Sequence, residues 1–292
     1  MKGTVLGIAG VGLIGGSIAL RARAAGATVI GYDRDPEALR AATAAGALDD
    51  TAPDLASLAE RCTVVAIALP VDVTVAVLAA TPQLAKPELV FDVASVKVPV
   101  VEAARELNRF VASHPLAGRE TGGFGAADAT LFEDRTWAIV PGRDPAAQAR
   151  LETVIGALGA RPLVLSAADH DRLVAISSHL PQVLSVALGA LVAATGDADA
   201  RVYDLCGPGM QSMLRLAHSD AELWAPIAKA NAVAVAEALE SIAAALQSTA
   251  AGLKAGNVEA LLAAFDGAHQ AVVALERSPG SPRSLPYAVP KR

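Results

Sequence analysis

The chain has 292 residues, of which 53% are hydrophobic and only 3% aromatic, and its formal net charge is −6. A chain of this length exceeds the usual size of one domain, so we expect two domains with a large buried core. The acidic balance and the lack of a Lys/Arg run argue against a nucleic acid partner. Two cysteines without C-x-x-C spacing favour a reducing cytoplasm over a disulfide framework or a metal site.

Short apolar runs alternate with helical stretches over the first half, which is the pattern of β-α-β units in a parallel sheet. Strands are predicted at 4–9, 28–31, 63–68, 89–92, 109–113, 136–140 and 161–165. Helices are predicted between them at 13–25, 36–45, 73–80, 98–107 and 145–158, two of which begin with Asp-Pro, a favourable N-cap and N1 pair. We therefore predict an α/β domain over residues 1–166.

Strand signals stop near Ser166, and helices are predicted at 169–194, 198–205, 212–217, 221–251 and 257–276. This pattern predicts an all-helical domain over 167–277, followed by an extended arm over 278–292 that contains four prolines. Several helices are apolar on more than one face, most clearly 232–245, so we expect a homodimer formed through this domain. No membrane span is expected, because the apolar stretch 180–194 is short and begins with Leu180-Pro181.

A glycine motif, Gly10-Val11-Gly12-Leu13-Ile14-Gly15, lies between the first predicted strand and the first predicted helix. In this context G-x-G-x-x-G binds the pyrophosphate of a dinucleotide at the helix N-terminus, which predicts a Rossmann domain. Asp33 ends the second strand about 20 residues later, where an acidic side chain binds the ribose 2′-OH. The carboxylate of Asp33 favours NAD over NADP, although the neighbouring Arg34 could accommodate a 2′-phosphate. Leu69 and Pro70, after the next strand, are expected either to line the cofactor edge or to form an ordinary turn.

Two polar segments follow neighbouring strands at the edge of the sheet where the nicotinamide is expected. One contains Ser95 in D-V-A-S-V-K, and the other contains His114 in H-P-L-A-G-R-E. A histidine just past the end of a strand can accept the proton of a substrate hydroxyl, and a neighbouring serine can fix its tautomer. The alternative is a histidine that merely caps the strand. Beside a dinucleotide site, we interpret His114 as catalytic.

The order of these motifs resembles the prephenate dehydrogenase family. The glycine motif with Gly16-Ser17 is followed by D-V-A-S-V-K at 92–97, H-P-L-A-G-R-E-T-G-G at 114–123, S-S-H-L-P at 177–181, and Arg215 with Trp224. The resemblance implies oxidation of a ring hydroxyl with loss of carbon dioxide, which converts prephenate to 4-hydroxyphenylpyruvate on the way to tyrosine. It also implies a Rossmann domain followed by a helical dimerisation domain.

Residue roles follow from the same resemblance. It implies that His114 is the catalytic base, that Ser95 is its polar companion, and that Arg215 binds a substrate carboxylate. Ser178 and His179 resemble a second histidine motif that faces the substrate, although a core histidine is the alternative for His179. Further expected substrate contacts are Arg119, Glu120, Gln211 and Trp224.

Three other functions compete with prephenate dehydrogenation. An arogenate or broad cyclohexadienyl dehydrogenase would act on a substrate that carries an ammonium where prephenate has a keto oxygen. A β-hydroxyacid dehydrogenase or imine reductase shares the Rossmann unit followed by helices, but lacks the pair of histidine motifs. A non-catalytic NAD-sensing protein would bind the cofactor without turnover.

Overall fold

A mixed sheet is the framework of the first half of the chain. The computed structural model describes residues 1–119 and 121–278, so Glu120 and the predicted arm beyond Ser278 lie outside the described residues. In the part described, the sheet has eight strands: β1 (Val5–Ala9), β2 (Thr28–Tyr32), β3 (Asp50–Thr51), β4 (Val64–Ile67), β5 (Leu89–Asp92), β6 (Phe110–Pro115), β7 (Thr136–Val140) and β8 (Arg161–Val164).

The strand order is β3-β2-β1-β4-β5-β6-β7-β8, and β1 to β6 pair in parallel as predicted. β7 is antiparallel to β6 and parallel to β8, so the last two strands run against the rest of the sheet. The connection from β6 to β7 contains only one 3₁₀ turn, Phe124–Ala126, in its described residues. A parallel neighbour usually requires a crossover helix, so this connection returns the chain in the antiparallel direction.

The helices that connect successive strands pack against the sheet. They are α1 (Leu13–Ala24), α2 (Pro36–Ala44), α3 (Leu55–Arg61), α4 (Val71–Ala80), α5 (Val98–Ala103) and α6 (Pro145–Ala157). The Asp-Pro starts are confirmed, because the side chains of Asp35 and Asp144 accept hydrogen bonds from the first turns of α2 and α6. β3 and α3 were not predicted, because they are too short to produce a clear periodic pattern.

The second half contains helices alone among its described residues. They are α7 (Ala167–Val174), α8 (Leu180–Ala198), α9 (Arg201–Leu205), α10 (Pro208–Leu214), α11 (Ala221–Ala230), α12 (Ala232–Lys254) and α13 (Glu259–Arg277). A π turn, Ala175–His179, joins α7 to α8, and a 3₁₀ turn, Arg215–His218, follows α10. The single helix predicted over 221–251 is wrong, because the chain turns at Asn231 between α11 and α12.

The helical run from Ala167 to Ala198 is longer than the sequence analysis expected. It has 32 residues and a mean hydropathy of 1.5 over its most apolar window, so by length and composition alone it could cross a membrane. The reason given for expecting no membrane span, a short apolar stretch that begins at Leu180-Pro181, is therefore wrong, whereas the absence of a span itself stays a prediction. Pro181 does not end the helix, because the π turn just before it widens the backbone where the proline lacks an N–H.

The contacts within the chain define two compact units, Met1–Val235 and a second unit from Ala236 onward. The first unit contains the sheet, α1 to α11 and every predicted site residue that the structure describes. The boundary predicted at residue 166 lies two residues after the last strand, but as a domain boundary it stays a prediction.

Candidate active site

The glycine motif forms a tight turn between β1 and α1 whose outer side is open. Gly10 has a φ of +93°, and a Cβ there would lie 2.2 Å from the carbonyl oxygen of Ala68. A Cβ on Gly15 would lie 1.9 Å from the carbonyl oxygen of Gly10, whereas a Cβ on Gly12 would meet nothing within 4 Å. The first and third glycines thus allow the turn and the packing of α1, and the second leaves room for a ligand. This cradle fits a pyrophosphate at the start of α1, where Gly12 has no side chain to cap the helix.

Asp33 lies directly against this turn. Its Oδ2 accepts a hydrogen bond from the backbone N–H of Val11 at 2.7 Å, and its Oδ1 accepts one from Asp35 at 2.9 Å. The side chain of Leu69 also reaches the turn, since its Cδ2 would be 2.9 Å from a Cβ on Gly10. Arg34 and Pro70 are exposed. The structure therefore brings together the glycines, Asp33 and Leu69, and the site fits a dinucleotide with its ribose near Asp33.

His114 lies on the same edge of the sheet as the glycine turn. Because β1, β4, β5 and β6 are parallel neighbours, their carboxyl ends share one edge, and β6 is three strand spacings, about 14 Å, from β1. His114 is inside β6 rather than just past its end, because pairing with Ala138 of β7 extends the strand to Pro115. It projects beyond the last residue of β6 that pairs with β5, Val111. Such a position suits a residue that meets a ligand lying along the edge.

A buried ion pair anchors the backbone next to His114. Lys97 and Asp92 are fully buried, and the Lys97 ammonium donates to the Asp92 carboxylate and, at 2.7 Å, to the carbonyl oxygen of Ser113. Asp92 accepts from the N–H of Ser113 at 3.0 Å, and the Ser113 hydroxyl donates to the carbonyl oxygen of Asp92 at 2.6 Å. Burial lowers the pKa of Lys97, and the charge of Asp92 opposes this shift. The pair therefore joins the ends of β5 and β6 immediately before the histidine.

His114 contacts a second histidine that the sequence analysis did not identify. Its Nδ1 lies 3.0 Å from Nε2 of His170, whose Nδ1 lies 2.7 Å from Oδ1 of Asp171. His170 and Asp171 are buried in α7, whereas His114 is half-buried. Burial holds the pKa of His114 well below its usual value, and His170, Lys97 and His179 lower it further. The His114 imidazole is therefore neutral at pH 7 and able to accept a proton.

His179 lies in the π turn and is also neutral at pH 7. Burial lowers its pKa to about 4, with Asp171 opposing the shift and His170 adding to it. The side-chain amide of Asn231 donates to the carbonyl oxygen of Asp171 at 2.8 Å and lies 3.2 Å from Nδ1 of His179. A hydrogen bond from this amide makes Nδ1 an acceptor and leaves the ring proton on Nε2. His179 is thus arranged as a hydrogen-bond donor, and Trp224 packs edge-on against its ring at 5.8 Å.

Arg215 begins a 3₁₀ turn that buried polar residues of α8 hold in place. Gln182 donates to the carbonyl oxygen of Leu216 at 2.8 Å, and Ser185 donates to that of Met213 at 2.8 Å. Gln182 lies one helical turn after His179, so this anchoring ties the arginine to the element that carries the second histidine. Arg215 and Gln211 are exposed, as expected for groups that would bind a substrate arriving from solvent.

Arg119 belongs to a different part of the site. It donates to the carboxylate of Asp128, whose backbone N–H donates to the Ser17 hydroxyl of α1 at 2.9 Å. Ser95 is half-buried just after the end of β5, and Ser178 is half-buried just before the start of α8. The substrate or catalytic roles given to these three residues stay predictions, as does that of Glu120.

Four residues that the sequence analysis gave no role complete the site: Lys97, His170, Asp171 and Asn231. Lys97 and Asp92 are opposite charges within an apolar stretch, and the D-H-D triplet at 169–171 lies shortly after the last strand, which ends at Val164. Both are visible signals in the sequence, but only the packing of α7 against the start of α5 shows that they meet, through hydrogen bonds from the N–H groups of Lys97 and Val98 to Asp171. Among the described residues no cluster of three His, Cys, Asp or Glu could hold a metal.

Both halves of the chain match models of one protein family. Residues 17–163 match the family model for the nucleotide-binding domain of prephenate dehydrogenase, and residues 166–267 match that for its dimerisation domain. The two models meet within a few residues of the last strand, β8.

Curated relatives carry related names. The chain is 35% identical over 80% of its length to a probable prephenate dehydrogenase of Streptomyces niveus, and 32% identical over 78% to the prephenate dehydrogenase of Bacillus subtilis. It spans 65% and 64% of those two proteins, which is just under two thirds of each. It is 29% identical over 93% of its length to a cyclohexadienyl dehydrogenase of Zymomonas mobilis, of which it covers 96%.

Two solved structures have the same fold. The prephenate dehydrogenase of Aquifex aeolicus, solved with hydroxyphenyl propionate and NAD⁺, has a TM-score of 0.86 at 24% identity and covers 94% of this chain and 99% of its own. The arogenate dehydrogenase of Synechocystis has a TM-score of 0.75 at 27% identity, with 92% and 99% covered. Since the two family models together match well over half of the chain, it belongs to the prephenate dehydrogenase family.

Proposed function

We propose that this protein is an NAD-dependent prephenate dehydrogenase that converts prephenate to 4-hydroxyphenylpyruvate and carbon dioxide. The observation that carries the proposal is the position of His114, a neutral and half-buried imidazole on the sheet edge that also holds the glycine cradle. A base in this position can meet a hydroxyl whose carbon faces a nicotinamide. Membership of the family supports the same reaction.

The residues of this chain would supply proton transfer and orientation. His114 accepts the proton of the ring hydroxyl as the C–O bond becomes a carbonyl and the carbon's hydrogen leaves as hydride. When bound, NAD supplies the acceptor for that hydride. Loss of the ring carboxylate as carbon dioxide returns its electron pair to the ring, which becomes a phenolate. The proton held by His114 then completes the phenol, so the histidine ends the reaction neutral.

Two side chains, a cation and a neutral donor, can meet the charged and polar groups of the substrate. The exposed guanidinium of Arg215, on its anchored turn, can bind a carboxylate with two parallel hydrogen bonds. His179, with its ring proton on Nε2, can donate to an oxygen of the substrate. Prephenate carries two carboxylates and a keto oxygen, which suits an arginine and a neutral donor.

We propose NAD as the preferred cofactor because Asp33 faces the ribose position. A 2′-phosphate would stand beside its carboxylate, and like charges repel. Both oxygens of Asp33 already accept backbone hydrogen bonds, so the carboxylate cannot easily turn away.

We also propose a homodimer formed through the helical half. Large apolar side chains remain exposed on α8, such as Val186 and Leu191, and on α13, such as Leu262 and Phe265. Exposed apolar stripes on long helices indicate a partner surface. Light scattering at micromolar concentration should give a particle of twice the chain mass, and a monodisperse monomer would contradict the proposal.

NADH formation from prephenate and from arogenate, with NAD and NADP in turn, tests the reaction and its substrate together. We expect turnover with prephenate and NAD, release of carbon dioxide, and 4-hydroxyphenylpyruvate as the product. Turnover of arogenate alone would overturn the substrate assignment. Turnover of simple β-hydroxyacids without either cyclohexadiene would overturn the proposed reaction, and NADH binding without any turnover would indicate a sensor.

A further inference from the structure

The buried pair His170 and Asp171 contacts His114 on the side of the ring that faces into the protein. Asp171 is 5% exposed and His170 is 1% exposed, and the two ring systems of His114 and His170 meet at 68° with centroids 5.2 Å apart. The three residues form one line of contacts from the Asp171 carboxylate to Nδ1 of His114, through distances of 2.7 and 3.0 Å. All of them lie in the first compact unit.

The direction of the hydrogen bonds along this line follows from Asp171. Its Oδ1 and Oδ2 accept the backbone N–H groups of Lys97 at 2.7 Å and Val98 at 2.8 Å, as an ionised carboxylate does. The contact from Oδ1 to Nδ1 of His170 therefore requires a proton on that nitrogen. A neutral His170 with its proton on Nδ1 has only a lone pair on Nε2. Nδ1 of His114 must then be the donor.

An uncharged His170 is a premise of this arrangement, and the nitrogen NMR experiment described below tests that state together with the tautomer of His114.

We propose that His170 and Asp171 are positioning residues, which hold His114 in the tautomer whose Nε2 carries a lone pair toward the substrate hydroxyl. This inference rests on the proposed function. The Asp171 carboxylate fixes the proton of His170, His170 fixes the proton of His114, and the outward nitrogen of His114 is left unprotonated. Without this line, His114 could carry its proton on Nε2 and would then present a donor to a hydroxyl that must lose its proton.

Nitrogen NMR of histidine-labelled protein tests the tautomer without any turnover, because protonated and unprotonated ring nitrogens have well separated shifts. Signals of His114 are assigned by their loss in His114→Asn. We expect Nδ1 to be protonated and Nε2 to be unprotonated at pH 7. A proton on Nε2 of His114 in the unmodified protein would overturn the inference, whether or not the protein turns over prephenate.

Variants of His170 test the consequence for catalysis. His170→Leu removes the acceptor, so we expect kcat to fall by at least about 10-fold and at most about 10⁴-fold. The upper value is the loss of kcat that a wrong histidine tautomer causes in a serine protease. His170→Gln keeps an oxygen that can accept from Nδ1, so it should recover most of the turnover and the native tautomer. Arg172→Leu introduces the same side chain at an exposed position of the same helix, α7, and should match the unmodified protein.

The pH profile separates this role from a merely structural one. The groups that face His114 are His170 and Asp171 from α7, His179 from the π turn, and Lys97 ahead of α5. Removal of His170 takes away the group that His114 contacts through Nδ1, so the acid limb of kcat/KM should shift as kcat falls. Unchanged kcat and an unchanged acid limb in folded His170→Leu would overturn the inference. Absence of any turnover in the unmodified protein would instead refute the proposed function.

Discussion

The buried pair of Lys97 and Asp92 permits a quantitative test of what holds the active edge of the sheet together. In Asp92→Asn the amide can still accept from Ser113, but the fully buried ammonium loses its counter-ion. Breaking a buried pair on one side destabilises a protein by about 3–5 kcal/mol. We therefore expect the free energy of unfolding to fall by that amount at pH 7, and Tm to fall by roughly 6–20 °C.

The pH dependence of this loss identifies its cause. The buried lysine can avoid an unpaired charge by releasing its proton, which costs about 4.6 kcal/mol at pH 7 for a lysine with an ordinary pKa of about 10.4. The same release costs only about 1.9 kcal/mol at pH 9. The loss of stability in Asp92→Asn should therefore shrink as the pH rises. The hydrogen bond that Ala94 loses in this variant does not depend on pH in this range.

Guanidinium unfolding of the unmodified protein and of Asp92→Asn at pH 7 and pH 9 measures both effects. Glu102→Gln is the matched control, since Glu102 pairs with Arg105 at the exposed surface, where ion pairs contribute little. We expect no measurable change for the control. A destabilisation by Asp92→Asn of under about 1 kcal/mol, or one that is equal at both pH values, would refute the reasoning.

Four further predictions concern the proposed reaction. His114→Asn should leave NAD binding intact while turnover falls by roughly 10²–10⁴-fold. Near-normal turnover would indicate that His179, rather than His114, is the base. In the unmodified protein the acid limb of kcat/KM should lie below about pH 6.5, because the lowered pKa keeps His114 neutral to lower pH; a limb above that value would contradict the assignment. In initial-rate kinetics, Asp33→Asn should lower kcat/KM for NAD and raise kcat/KM for NADP relative to that for NAD. A higher kcat/KM for NADP than for NAD in the unmodified protein would indicate that Arg34 dominates cofactor choice. Arg215→Ala should raise KM for prephenate by roughly 10- to 150-fold, because a charge-assisted bond is worth about 1.5–3 kcal/mol, with little change for NAD; unchanged prephenate kinetics would favour Arg119.

Local sequence patterns were sufficient to predict most of the strands of the first half and its cofactor site. The strands β5 and β7 have the predicted bounds, and the other strands that were predicted differ by a few residues at most. The glycine motif and Asp33 were found from the sequence because their function depends on backbone conformation and on short spacing. Both are properties of neighbouring residues, so a linear pattern can encode them.

The helical half was predicted as a class but not in its details. The turn at Asn231 divides one predicted helix, and its side chain bonds to Asp171 and lies close to His179, which are more than 50 residues earlier in the chain. The long helical segment continues through Pro181 because the π turn just before it accommodates the missing N–H of the proline. Neither feature follows from helix propensity, since distant contacts and backbone adjustment override it.

The sequence by itself determined a dinucleotide cradle, a candidate base at His114, and a second histidine segment at 177–181. It could not determine what the other side of the His114 ring contacts. That contact depends on the docking of α7 against the end of β6, which brings His170 to His114 across 56 positions of the chain. The protonation of an imidazole is set by the partners of both its nitrogens. Which nitrogen of His114 can act as a base was therefore decided by the tertiary structure alone.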